Sequence, residues 1–187
     1  VWTIENGIPK LVYDGVNDYT RGTSRGQLES IVAEELDAYI CVPPVGSGNR
    51  MLGQISVTTT NRLSAAWNTG VANAYEARVG GGVNATISGA LSGVRVMMFR
   101  RSGSGASTVS AIRIGLGAEV STTTAGDSSA AATRLTFGAS RLDTPTQFGD
   151  MQMIRFLSIR GLTTVTQLST AQSYLVAYGR RFAGATV

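Results

Sequence analysis

The sequence predicts an all-β protein, an antiparallel two-sheet jelly-roll sandwich carrying one C-terminal helix. Three observations lead there. Short apolar runs with a period of two recur along the chain, 23 glycines punctuate them, and one segment alone has convincing helical spacing. The 187 residues suit a single domain, 1–187, with a sizeable core, and no Pro-rich linker or compositional break divides them. Hydrophobic residues at 43% against charged residues at 15% describe a folded, turn-rich chain rather than a disordered one or a helical bundle.

The elements follow in order. Residues 10–14 form a first apolar run that breaks at Asp14-Gly15, a turn signal, and resumes as Val16-Asn17-Asp18-Tyr19. "QLESIVAEEL", 27–36, predicts a second, short helix, and 37–43 a strand. In 50–58, Met51, Gly53, Ile55 and Val57 share one face. Residues 62–67 lead into Trp67, and 72–79 return across Asn68-Thr69-Gly70. Gly80-Gly81-Gly82 marks a sharp turn.

The clearest strand is "GVRVMMFRR". Val94, Val96 and Met98 lie on one face, and Arg95, Met97 and Phe99 on the other. A strand apolar on both faces belongs at a sheet centre, or has a second cover. "RSGSGAS" is a hairpin connection to "STVSAIRIGLG", where Ile112, Ile114 and Leu116 oppose Arg113. Residues 121–133 are small and polar and predict a mobile loop. "FGDMQMIRFLSI", 148–159, is another two-sided strand. The helix follows it: Thr164 with Gln167 makes a capping box, Leu168, Ala171, Leu175 and Tyr178 recur at helical spacing, and Gly179 suits the C′ position.

Composition excludes several chemistries. The chain has no His, which removes His-based general base catalysis, the Ser-His-Asp and Cys-His arrangements, and His metal ligation. Cys41 is alone, so no internal disulfide forms, and its apolar surroundings predict a buried, inert thiol. The glycine run at 80–82 lacks the Lys-Ser/Thr of a phosphate-cradling loop. A net charge of +4 rests on scattered Arg and a single Lys, which argues against nucleic acid as a partner. No apolar run approaches the ~18 residues that a membrane span needs, so no membrane insertion is expected. The chain does not open on Met, and Val1 is expected to begin a processed form or a fragment of a longer polypeptide.

"PKLVYDGVNDY" resembles the "P-x-L-x-F-D-G-x-x-D-Y" signature of the concanavalin A-like lectin/glucanase jelly rolls, in particular the laminin-G-like branch of bacterial and phage proteins. "LTFGAS", "FGDMQMIRFLSI" and "LTTVTQLSTAQSYLVAYG" are similar to that branch's closing sequence, so the resemblance covers nearly the whole chain. It implies that Asp14 and Gly15 shape an elbow between strand segments. Asp14 accepts bonds from local amides, and Gly15 adopts a backbone angle that a Cβ would forbid. Asn17 and Asp18 belong to the same structural turn. The competing Ca²⁺ site needs several converging oxygens and finds no second acidic cluster, so no cofactor is expected.

The superfamily's glucanases present E-x-D-x-x-E on one strand. The nearest match is "ELDAYI", with Glu35 and Asp37 but Ile40 in the third place, so hydrolysis by that mechanism should fail. Glu35 and Asp37 are expected in a solvated turn. Met153 stands where the relatives often carry an acid. Catalysis is therefore not expected.

Two non-exclusive functions remain. In "AAWNTGVANAYEAR", Trp67, Asn68, Asn73, Tyr75, Glu76 and Arg78 combine aromatic stacking surfaces with amide and charged hydrogen-bonding groups, the composition of a glycan site. The alternative is that Trp67 and Tyr75 are core aromatics. The resemblance also suits a virion-associated module, namely a tail fibre, head fibre or decoration protein. Its partners would be a cell-surface glycan, fibre subunits and copies of itself. The apolar faces around Met97, Phe99, Ile154 and Phe156 would lie between subunits, or under the helix and loops. The location would be virion or extracellular; a secreted bacterial carbohydrate-binding module is the alternative.

Overall fold

The computed structural model describes residues 1–21, 34–44, 50–56, 62–68, 74–78, 85–89, 91–102, 108–124, 134–139 and 148–186. These contain thirteen strands and one helix: β1 Trp2–Glu5, β2 Ile8–Val12, β3 Thr20–Arg21, β4 Glu34–Val42, β5 Arg50–Ser56, β6 Arg62–Asn68, β7 Ala74–Arg78, β8 Ala85–Ser88, β9 Arg95–Ser102, β10 Thr108–Ile114, β11 Val120–Thr124, β12 Arg134–Phe137, β13 Gln152–Leu162 and α1 Val165–Ala183. A seven-stranded sheet in the order β1-β2-β13-β4-β9-β10-β11 packs on a six-stranded sheet, β3-β12-β5-β6-β7-β8. The ladders between these strands are antiparallel. The predicted antiparallel sandwich with a C-terminal helix is therefore the observed architecture.

Alternation along β4 and β9 explains the layering. Tyr39, Cys41, Met97 and Phe99 enter the core between the sheets, with Tyr13, Leu52, Tyr75, Ile112 and Met153. Tyr39 lies at its centre, edge-on to Phe99, Phe137 and Phe156 at 5.3, 6.2 and 5.0 Å between ring centroids. These tilted arrangements suit the ring quadrupoles. The residues between them point the other way: Leu36, Ala38, Ile40, Val96 and Met98 form a second core with Leu175 and Val176 of α1. The second cover predicted for a two-sided strand is the helix.

That finding also resolves the apolar faces considered for subunit contacts. Met97, Phe99 and Phe156 serve the inter-sheet core, and Ile154 packs in the helix-side core. They are used inside the protomer.

The helix starts as its sequence predicts. The Thr164 hydroxyl accepts from the Gln167 amide at 3.1 Å, while the Gln167 side chain accepts from the Thr164 amide at 3.2 Å. Its end differs. Gly179 is inside α1, not at C′; the helix continues to Ala183 and stops at Gly184, which is left-handed at φ 62°. Gly179 serves a close approach instead, since a Cβ there would collide with Val96 Cγ2. On the far flank, the buried Gln172 ties α1 to the sheet. It accepts from Arg113 at 2.7 Å and donates to Glu119 at 3.0 Å, and Glu119 in turn holds Arg100 at 2.5 Å.

Other expectations need correction. Glu34–Leu36 are strand, not the end of a second helix; residues 27–33 of that segment lie outside the described residues. Residues 121–124 belong to β11 rather than to a loop, because Ser121, Thr122, Thr123 and Thr124 pair with β10. The rest of that segment, the glycine run at 80–82 and the connection at 103–107 lie outside the described residues. Leu116 does not continue the buried face of β10. It sits in the following turn and is 57% exposed. In β5 the register shifts between Met51 and Gly53, and Leu52 is fully buried, which breaks the alternation read from 51 to 57.

Gly179→Ala should destabilise the protein by about 1–3 kcal/mol through overpacking, read as a lower denaturation midpoint. The loss should shrink markedly in a Val96→Ala background. Equal losses in both backgrounds would rule out this contact as the cause.

Candidate functional site

The Asp14-Gly15 elbow is built as predicted. Gly15 has φ 76°, and Asp14 Oδ1 accepts from the amides of Val16, Asn17 and Asp18 at 2.8, 3.2 and 3.4 Å. These amides, Val16 first and Asn17 next, hold the Asp14 carboxyl below its ordinary value. Its charge is committed to its own turn. The buried Tyr13 donates from its hydroxyl to Thr20 at 2.9 Å and anchors the elbow to the entry of β3. Among the described residues no group of three or more His, Cys, Asp or Glu side chains is placed to hold a metal ion.

The glucanase-like carboxylates are not in a solvated turn. Glu35 and Asp37 are 3% and 2% exposed within β4. Arg101 donates to Glu35 at 2.6 Å, the Ser158 hydroxyl donates to it at 3.2 Å, and Arg160 approaches at 3.5 Å. Ile40, in the place of a third acid, belongs to the helix-side core. Glu35 thus joins β4, β9 and β13 electrostatically. Cys41 is buried as expected, and desolvation pushes its thiol up to about 12.

The proposed β6–β7 glycan residues divide. Tyr75 is fully buried and its hydroxyl donates to the Pro44 carbonyl at 2.9 Å, so it is a core aromatic and no stacking surface. Burial pushes that hydroxyl up to about 12. In the ladder Trp67 pairs with Glu76, Asn68 with Tyr75, and Ala65 with Arg78. The side chains of Trp67, Asn68 and Arg78, and all of Asn73, lie outside the described residues.

A feature not anticipated from the sequence lies on the outer flank of α1. A shallow groove of about 620 Å³ runs between the end of β13 and the helix, bordered by Arg160, Leu162, Thr166, Thr170, Ala171 and Tyr174. Tyr174 is 60% exposed and begins a row of rings. Its centroid lies 6.2 Å from that of Tyr178, and Tyr178 lies 4.7 Å from Phe182, itself 56% exposed. Residues four apart on a helix share a flank, so this row was available in the spacing. Arg155 lies over the Tyr178 ring at 5.7 Å and Arg181 over the Phe182 ring at 5.4 Å.

No protein-family model and no curated protein sequence matches the chain. Solved structures do. The chain is similar to the botulinum neurotoxin serotype C1 binding domain, with 9% identity, 94% of this chain and 46% of that one covered, and a TM-score of 0.62. It is similar to the heptameric SAP-like pentraxin of Limulus polyphemus, with 10% identity, 91% and 81% coverage, and a TM-score of 0.59. Tailspike protein 2 of the Escherichia coli O157:H7 bacteriophage CAB120 gives 14% identity, 94% and 26% coverage, and a TM-score of 0.52. The chain therefore spans less than half of the neurotoxin domain and about a quarter of the tailspike. These likenesses establish a shared β-sandwich fold.

Two outcomes test this electrostatic layout. Arg101→Met should cost about 3–5 kcal/mol by weakening the compensation of a buried carboxylate, while Glu35→Gln with Arg101→Met should recover most of the loss in denaturation midpoint. Asp14 should titrate below its ordinary value of 3.8 in an NMR pH series, with the Val16 amide shift following it. Because the folded carboxyl is the more acidic one, its contribution to stability is full above the ordinary value. It is lost as pH falls through the lowered midpoint.

Proposed function

We propose that the chain is a non-enzymatic glycan-binding surface module of a virion, serving host attachment or fibre building in a tail fibre, head fibre or decoration protein. The observation that carries this reading is the exposed ring of Tyr174 beside a shallow groove edged by Thr166 and Thr170. A flat ring offers a stacking surface to the apolar face of a sugar, and hydroxyls match its polar rim. The fold supports the reading, since it is shared with a neurotoxin binding domain and a phage tailspike. The use of Glu35 and Asp37 inside the sandwich supports the non-enzymatic part. Trp67 remains a candidate for a second contact with glycan.

No helix among the described residues is long and apolar enough to cross a membrane. The proposed location is the virion surface or the extracellular space. Self-association, if it supports a fibre, must use surfaces other than the apolar faces already occupied in the two cores.

Purified protein should bind a subset of a glycan array and leave every bound polysaccharide intact on prolonged incubation. Release of reducing ends would overturn the non-enzymatic reading, and a blank array would overturn glycan binding.

A further inference from the structure

The glycan-binding reading leaves the chemical class of the sugar open, and the charge distribution around α1 narrows it. No Asp or Glu follows Asp150 in the chain, whereas Arg155, Arg160, Arg180 and Arg181 do. All four lie on β13 or α1, the two elements that border the groove and carry the ring row. Arg160 lines the groove, is partly exposed, and leans toward Glu35 at 3.5 Å. Arg155 and Arg181, both exposed, lie against the row itself, over Tyr178 and Phe182. Among the described residues no carboxylate is paired with either.

The row is also elongated. Tyr174, Tyr178 and Phe182 are spaced by four residues, so they extend about 12 Å along the helix axis at 1.5 Å per residue. The groove continues this line toward the start of α1, with Thr170 and Thr166 on its rim. A guanidinium beside a ring presents a carboxylate-binding fork and a stacking plane together. A neutral sugar would leave these two positive charges uncompensated, whereas an acidic one uses the rings and the guanidinium forks together.

We propose, resting on the glycan-binding function above, that the outer flank of α1 binds an acid-bearing polysaccharide. Its chain lies along Tyr174, Tyr178 and Phe182, with uronate-type carboxylates on Arg155 and Arg181. The binding face is the helix flank, on the opposite side of the seven-stranded sheet from the core between the sheets.

Oligogalacturonate, a neutral galacto-oligosaccharide of equal length, phosphatidylglycerol vesicles and polyuridylate are the probes, used with the wild-type chain and with Tyr174→Ala and Arg155→Gln. Both side chains are exposed, so the variants should keep the wild-type circular dichroism and melting temperature. The wild type should bind oligogalacturonate with an affinity that falls as salt rises, and the neutral oligomer at least about tenfold more weakly. Each variant should weaken oligogalacturonate binding by about tenfold, the loss of one stacking or charge contact of about 1.4 kcal/mol. If Arg155→Gln perturbs the fold, Phe182→Ala replaces it. Variants that bind oligogalacturonate like the wild type overturn this site while leaving glycan binding in place. Equal binding of the neutral oligomer overturns the acidic class, and tighter binding to vesicles or polyuridylate overturns the polysaccharide. Binding of no glycan at all, here or on the array, instead removes the function on which this inference rests.

Discussion

The structure depends on two strands that are apolar on both faces. β4 and β9 lie side by side within the seven-stranded sheet, and each contributes alternate residues to two separate cores. Burying one face of such strands against a second sheet still leaves Leu36, Ile40, Val96 and Met98 to be removed from water. Each side chain of that size is worth about 1.5–3 kcal/mol when fully buried. The helix is thus a thermodynamic requirement of β4 and β9. Its position follows from where Gly179 allows its backbone to approach Val96.

The parts of the fold legible in the sequence are those governed by local rules. The Gly15 elbow, the Thr164–Gln167 capping box and the alternation of β9 each depend on residues a few positions apart, and each occurs as predicted. The Asn6-Gly7 pair is a further local signal: it joins β1 to β2 with φ 52° and 76°, the arrangement that favours an Asn-Gly hairpin. The features that local pattern does not settle depend on distant partners. Glu35 looks like a solvated acid because the arginine that neutralises it is 66 residues away in the chain. Gly179 matches a C′ glycine by local pattern, while its actual role is set by a strand from the middle of the sequence. Leu116 fits the alternation of β10, although Gly115 and Gly117 flank it and mark the end of the strand.

The candidate site was less legible for a related reason. Aromatics in strands and helices announce their spacing but not which stripe meets solvent. Tyr75, in a segment rich in amides, has the environment of a core residue, whereas Tyr174 and Phe182, in a segment read for its buried face, are outside. Burial of the first is decided by the second sheet, and exposure of the others by the angle at which α1 is set on β4, β9 and β13. Neither quantity is encoded within a window of ten residues. Charge segregation was visible, since the acid-free closing segment can be counted directly, but its meaning required knowing that β13 and α1 are neighbours.

The way the chain leaves its helix has a mechanical consequence. After Gly184 the backbone reverses, the Ala185 amide donates to the Gly179 carbonyl at 3.1 Å, and the Thr186 amide donates to the Val94 carbonyl at 2.9 Å. Thr186 makes a parallel bridge with Arg95 at the start of β9. The helix is consequently fastened at its far end to the same strand whose outer face it covers, while β13 runs directly into its near end. It cannot peel away like a hinged lid. Cover and sandwich should exchange their amide protons as one cooperative unit, so any molecule gripped on the outer flank pulls on the whole domain and not on a detachable arm.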